Sequence, residues 1–145
     1  MNNLEQKLAD LFVGKMPGMS AGAKETAVKV VPWIMIVFGV LGFLAWLSAL
    51  RFFFFGYAAF MGRAYGHAFP DIFTLVYFLL APIVQVMVVY GGYQMLSKKQ
   101  SGWRIALYAL LIGLIPHLAH ISILGLLLDV LFAYILFQIK DYFTA

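Results

Sequence analysis

IALYALLIGLIPHLAHISILGLLLDVLFAYILFQI, residues 105–139, is the stretch on which the fold turns. As one helix it would run roughly 50 Å, too long for one crossing of a hydrocarbon core about 30 Å thick. Folded back on itself it gives two arms of about 17 residues, the lower limit for a span. Pro116, His117, His120 and Ser122 are the residues in it that suit a turn, so a hairpin is expected. Such short arms imply little tilt and local bilayer thinning.

Two further stretches need no such decision. VVPWIMIVFGVLGFLAWLSAL, residues 30–50, carries no charged side chain, and neither does IFTLVYFLLAPIVQVMVVYGGYQML, residues 72–96. Each is long enough to cross a bilayer once. The composition agrees: 64% of the 145 residues are hydrophobic and 11% charged, against about half and about a quarter in soluble domains. The expected fold is therefore all-α, a transmembrane helix bundle of four spans (30–50, 72–96, 103–120 and 121–139) forming one domain over 30–145. No Cys is present, which excludes disulfides and thiolate metal sites.

Residues 1–29 precede the first span. Asn3 and Gln6 have capping-box spacing, and Leu4, Leu8, Leu11 and Phe12 share one face of a short amphipathic helix, with Glu5, Gln6 and Asp10 opposite. Such a helix rests on the membrane surface or docks a partner; acids on its polar face argue against a purely electrostatic lipid anchor. With Glu5 and Asp10 where an apolar core would be needed, no cleavable signal peptide is expected. Pro17-Gly18 ends the helix and Ser20 caps the next. Residues 51–71 crowd Phe, Tyr, Arg63 and His67 together and read as an interfacial connection.

The net charge of +4 is modest, and its lysines flank the apolar segments. This points to membrane orientation rather than nucleic-acid binding. With the N-terminus inside, Lys7, Lys15, Lys24, Lys29, Lys98, Lys99, Arg104 and Lys140 are cytoplasmic, and Arg51 and Arg63 are outside. A multi-pass inner-membrane protein with both termini cytoplasmic is expected.

Asp129 is the one carboxylate within a span. Its insertion costs roughly 2.5–3.5 kcal/mol at mid-membrane, which marks it for function or for a specific partner. Ser122, Gly125, Asp129 and Ala133 share a face, and Ala106, Ala109, Gly113, Pro116, His117 and His120 form a matching one. Gly39 and Gly42 begin a small-residue stripe on the first span that continues through Ala45 and Ala49; Gly113 and Gly125 serve the same close packing. With the turn near His120, Asp129 lies roughly 9 Å deeper than His117 along the axis, so Gln85 is its better partner by depth. Asp129 then acts either as a protonatable site in an ion path or as a neutral acid holding helices in register.

His117 and His120, one turn apart, have the spacing of a metal or macrocycle ligand pair, but no third zinc ligand lies near, and two interfacial turn histidines are expected instead. No metal site is expected, and no cofactor is specified. No GxSxG, P-loop, dinucleotide or HExxH motif occurs, and neither Ser48 nor Ser122 has an evident base, so an enzyme is not expected.

The segment Ser101-Gly102-Trp103-Arg104 through Tyr108, followed by LFAYILFQIKDY over 131–142, resembles the C-terminal half of small uncharacterised four-span bacterial membrane proteins. The resemblance implies a bacterial membrane bundle and carries no activity with it. The expected function is a non-enzymatic accessory or scaffolding subunit. Its partners are the lipid bilayer and other membrane subunits or a second copy. The alternatives are a small proton or cation transporter or channel subunit using Asp129 and, after that, a pigment- or haem-binding subunit.

Overall fold

The computed structural model describes residues 3–52, 56, 72–119 and 122–144. The aromatic connection read over 51–71 lies almost wholly outside these residues, and so do His67 and His120. The described chain is helical. α1 (Asn3–Ala9) continues into a π-helical segment, Asp10–Lys15. Four helices follow: α2 (Ala21–Phe52), α3 (Ile72–Leu96), α4 (Gln100–Ala119) and α5 (Ile123–Gln138). A 3-10 turn, Lys140–Tyr142, closes the chain. The fold class read from the sequence, an all-α helix bundle, is the one observed.

Three of these helices are long and apolar enough to cross a membrane: Ala21–Phe52, Phe78–Leu96 and Gln100–Leu118. Ile123–Gln138 is equally apolar but has 16 residues, about 24 Å of helix. Trp33, Phe38, Leu79, Val86, Leu124 and Leu127 point outward from α2, α3 and α5. Side chains of this kind around the whole bundle need lipid as their solvent.

α2 begins before the membrane stretch. Ser20 starts it, its carbonyl accepting from Lys24 N at 3.0 Å and its hydroxyl from Ala23 N at 3.3 Å. Pro32, Pro82 and Pro116 all remain inside their helices. Pro116 and His117, read as turn residues, therefore belong to the last turn of α4. The reversal falls after Ala119: Ser122 N donates to His117 O at 2.9 Å, and Ser122 Oγ caps α5 by accepting from Gly125 N at 3.3 Å. Capping, for which Ser suits a helix start, outcompetes the proline as the local signal.

The helices run up and down in chain order, α2 against α3, α3 against α4, α4 against α5. Glycine sets the first two seams. A Cβ on Gly39 would lie 2.6 Å from Val89 Cγ2, and one on Gly92 would lie 2.8 Å from Pro32 O. At the α3–α4 seam, a Cβ on Gly91 would lie 3.1 Å from Ala106 N, and one on Gly102 would lie 2.6 Å from Met95 N. Backbone meets backbone there, which only a missing side chain permits. Gly91, Gly92 and Gly102 are thus contact points between helices. Trp46 Nε1 adds a bond to Phe78 O at 3.0 Å.

The tightest packing lies at one end of the bundle. Trp103 is fully buried, its ring edge-on to Phe137 with centroids 5.3 Å apart, and Nε1 donates to Leu136 O at 2.7 Å. Phe12 stacks on the other side of Phe137 at 5.6 Å. Gln138 then ties the N-terminal arm down: Nε2 donates to Phe12 O at 3.1 Å, and Oε1 accepts from Met19 N at 3.2 Å. Tyr134 Oη donates to Pro17 O at 2.6 Å. Both ends of the described chain therefore sit at the same end of the bundle.

This arm corrects the reading of residues 1–16. Glu5 is not on a solvated face; it is buried, with Oε1 3.6 Å from Arg104 Nε. Glu5, Leu8 and Phe12 turn inward while Leu4 and Leu11 stay exposed. A buried carboxylate requires a cation, which α4 supplies. The inward residues Glu5, Leu8 and Phe12 keep helical spacing, so the periodicity holds and the face that turns inward is shifted by one residue from the all-apolar one.

Candidate functional site

The opposite half of the bundle holds the polar side chains. His117, near the end of α4, and Asp129, in the second turn of α5, meet with Nδ1 2.6 Å from Oδ2. Reading depth along the axes alone separates these two by more than a side chain's reach and favours Gln85 as the partner. That reasoning omits side-chain direction. Every Cα–Cβ bond tilts toward the N-terminus of its own helix. In antiparallel neighbours one side chain therefore leans down while the other leans up, and the two close the gap. The partner of Asp129 is His117.

Gly125 makes the contact possible. It sits one turn above Asp129 on α5, and a Cβ there would lie 2.8 Å from His117 Cδ2 and 2.9 Å from Cγ. The imidazole lies in the space the missing side chain leaves and reaches past it to the carboxylate. The small residue read as helix packing is thus the seat of the histidine. Gly113, read the same way, has only Val84 within range, at 3.8 Å, and is not a close contact. Gly42 is one: a Cβ would lie 2.6 Å from the Gln85 amide, which lies across it. Ala45 and Ala49, further along the same stripe, are exposed.

Between the four long helices lies a cavity of about 260 Å³. α2 contributes Ile34, Met35 and Phe38; most of the remaining wall is hydrocarbon. Among the described residues three polar side chains reach it: Gln85 from α3, His117 from α4 and Asp129 from α5. The His117 side chain is 39% exposed and that of Asp129 16%, so the carboxylate is the more enclosed partner. At 2.6 Å one proton lies between the two groups, and the bond is charge-assisted if the carboxylate is ionised. α5 packs on α4 and the N-terminal arm and makes no extended seam with α2 among the described residues. α2 and α5 both line the cavity, with Phe38 of α2 reaching its wall while itself exposed.

A separate groove on the outer face of α2 and α3 is wholly apolar apart from Gln85 and the aromatic rims of Tyr90 and Tyr93. Ser48 Oγ donates to Leu44 O and Ser122 Oγ caps α5. Among the described residues, no group of three or more His, Asp or Glu side chains is placed to hold a metal ion. Sequence reasoning singled out Asp129, His117 and Gln85, and all three line one cavity. It missed Glu5, Trp103, Tyr134 and Gln138 as fasteners of the closed end; the one available signal was a tryptophan, an arginine and a glutamine beside apolar segments, where each needs a partner.

Comparison of the chain with protein-family models, with curated proteins and with solved structures finds no match.

Proposed function

We propose that this chain is a non-enzymatic accessory or scaffolding subunit of a bacterial inner membrane, crossing it four times with both termini in the cytoplasm. It works by packing against other membrane subunits or a second copy. The observation that carries this reading is the closure of its polar groups on themselves. Asp129 is held by His117, and the cavity beyond them is hydrocarbon apart from Gln85. The far end is filled by Trp103, Phe137, Phe12 and Phe143. A conducting route needs successive polar stations, and the described residues offer one cluster. The positively charged end, with Lys7, Lys15, Lys98, Lys99 and Lys140, is the end that would face the cytoplasm. Purification in mild detergent and in nanodiscs tests the reading. A stable complex or oligomer is expected; a strictly monomeric, partner-free particle in both overturns it.

A second reading is favoured by one observation, the His117–Asp129 contact at a cavity wall. It makes the chain a small proton or cation transporter or channel subunit with Asp129 as the ion site. Flux into liposomes that is lost in Asp129→Asn supports it, and flux unchanged in that variant removes Asp129 from the path.

A further inference from the structure

We infer that the cavity between α2 and α5 is a binding site for a small lipophilic amine, which enters from the bilayer and places its ammonium against Asp129.

Size sets the first limit. Pockets for drug-sized ligands span about 300–1,000 Å³, and an apolar cavity of about 150 Å³ accepts benzene. At about 260 Å³, this one takes a single ring with a short side chain. Its hydrocarbon walls favour the ring. Charge sets the second limit. His117 and Asp129 are the only titratable side chains on its described walls; α2 and α3 bring none. The carboxylate, 16% exposed, lies 2.6 Å from His117 Nδ1 through Oδ2, and no Lys or Arg shares the described walls. An ammonium supplies that carboxylate with a counter-charge and donors. A carboxylate ligand would meet like charge and no cation. Access comes beside Phe38, which lines the cavity and is itself exposed on the apolar outer face of α2, where lipid meets the bundle and a lipophilic amine concentrates.

The test uses the full chain in phosphatidylcholine nanodiscs, with labelled phenethylamine as the probe and empty nanodiscs subtracted. Saturable binding of one molecule per chain is expected. Unlabelled phenethylamine should compete at least tenfold better than ethylbenzene, its neutral counterpart without the amine, and phenylacetate should not compete. Asp129→Asn should weaken phenethylamine tenfold or more and leave ethylbenzene unchanged. Gly113→Leu supplies a variant outside the polar pair. Gly113 lines the cavity and has open space around its Cα, so leucine fills the cavity, and both ligands should be lost. If Asp129→Asn does not fold, Gly113→Leu and the competition series decide the matter. Binding no greater than to empty nanodiscs, equal competition by phenylacetate, or affinity unchanged in Gly113→Leu overturns the assignment.

Discussion

Gly125→Ala should destabilise this protein although it replaces a poor helix former by the best one. In a helix interior the exchange by itself favours folding by about 1 kcal/mol, and in the first turn of α5, where Gly125 lies, by less. Here the new methyl group would lie 2.8 Å from His117 Cδ2 and 3.0 Å from Nε2. The imidazole cannot move aside and still hold Asp129 at 2.6 Å. Two costs follow. Overpacking of this kind runs to about 1–3 kcal/mol. A hydrogen bond to a charged group contributes about 1.5–3 kcal/mol in general, whereas side-chain bonds inside membrane bundles average about 0.6 and reach about 1.7. The His117 side chain is 39% exposed, so the lower figure applies to the bond. Set against a helical gain of less than about 1 kcal/mol, a net loss of about 1–3 kcal/mol is expected. The assay is equilibrium unfolding in mixed micelles with increasing SDS, followed by far-ultraviolet circular dichroism. The decisive measurement is a double-mutant cycle. In a His117→Ala background the obstacle is gone, and the same Gly125→Ala should become neutral or stabilising. Equal loss in both backgrounds would refute the idea that Gly125 exists to seat the imidazole.

Gln138→Leu removes both bonds that hold Phe12 and Met19; trypsin should then cleave after exposed Lys15 several times faster, with helical content unchanged, and an unaltered rate would separate Gln138 from the arm. Gly102→Val should cost about 2 kcal/mol or more, because its Cβ would meet Met95 N at 2.6 Å, a backbone atom that cannot yield. Gly113→Ala, with 3.8 Å to Val84, should be neutral or stabilise by up to about 1 kcal/mol; thermal unfolding of the two variants side by side checks the contrast. Tags at the two termini should be reached by the same side-specific protease in oriented membranes, since both ends of the described chain lie at one end of the bundle; opposite-side labelling would break the topology.

Hydrophobic length carried the helix bundle plainly, because a span is a one-dimensional property: residues 30–50 and 72–96 could be read from charge alone. The hairpin within 105–139 was legible for the same reason, as its length exceeds one crossing. What escaped was direction and phase. The Asp129–His117 bond depends on how side chains lean along antiparallel axes, which residue depth does not contain. The inward turn of Glu5 depends on an arginine about a hundred residues later in the chain. The contact glycines at 91, 92 and 102 carry no mark in the sequence, because a glycine that loosens a helix and one that admits a neighbour's backbone are identical there. Packing decides between them.

The two ends of the bundle are held by different means, and this bears on how anything enters it. At the end bearing both chain ends, α5 is pinned by the Leu136 carbonyl on Trp103, by Phe137 between two aromatic rings and by Gln138 to the N-terminal arm. Near its other end α5 is tied to α4 by the His117–Asp129 bond and the turn at Ser122, and it leaves α2 uncovered. Opening free energies vary within one protein and are lowest where buried contacts are few. Separation of α5 from α2 therefore costs little, while separation of its C-terminal turn requires dismantling the aromatic core. Helix α5 is a short lever anchored at its C-terminal end.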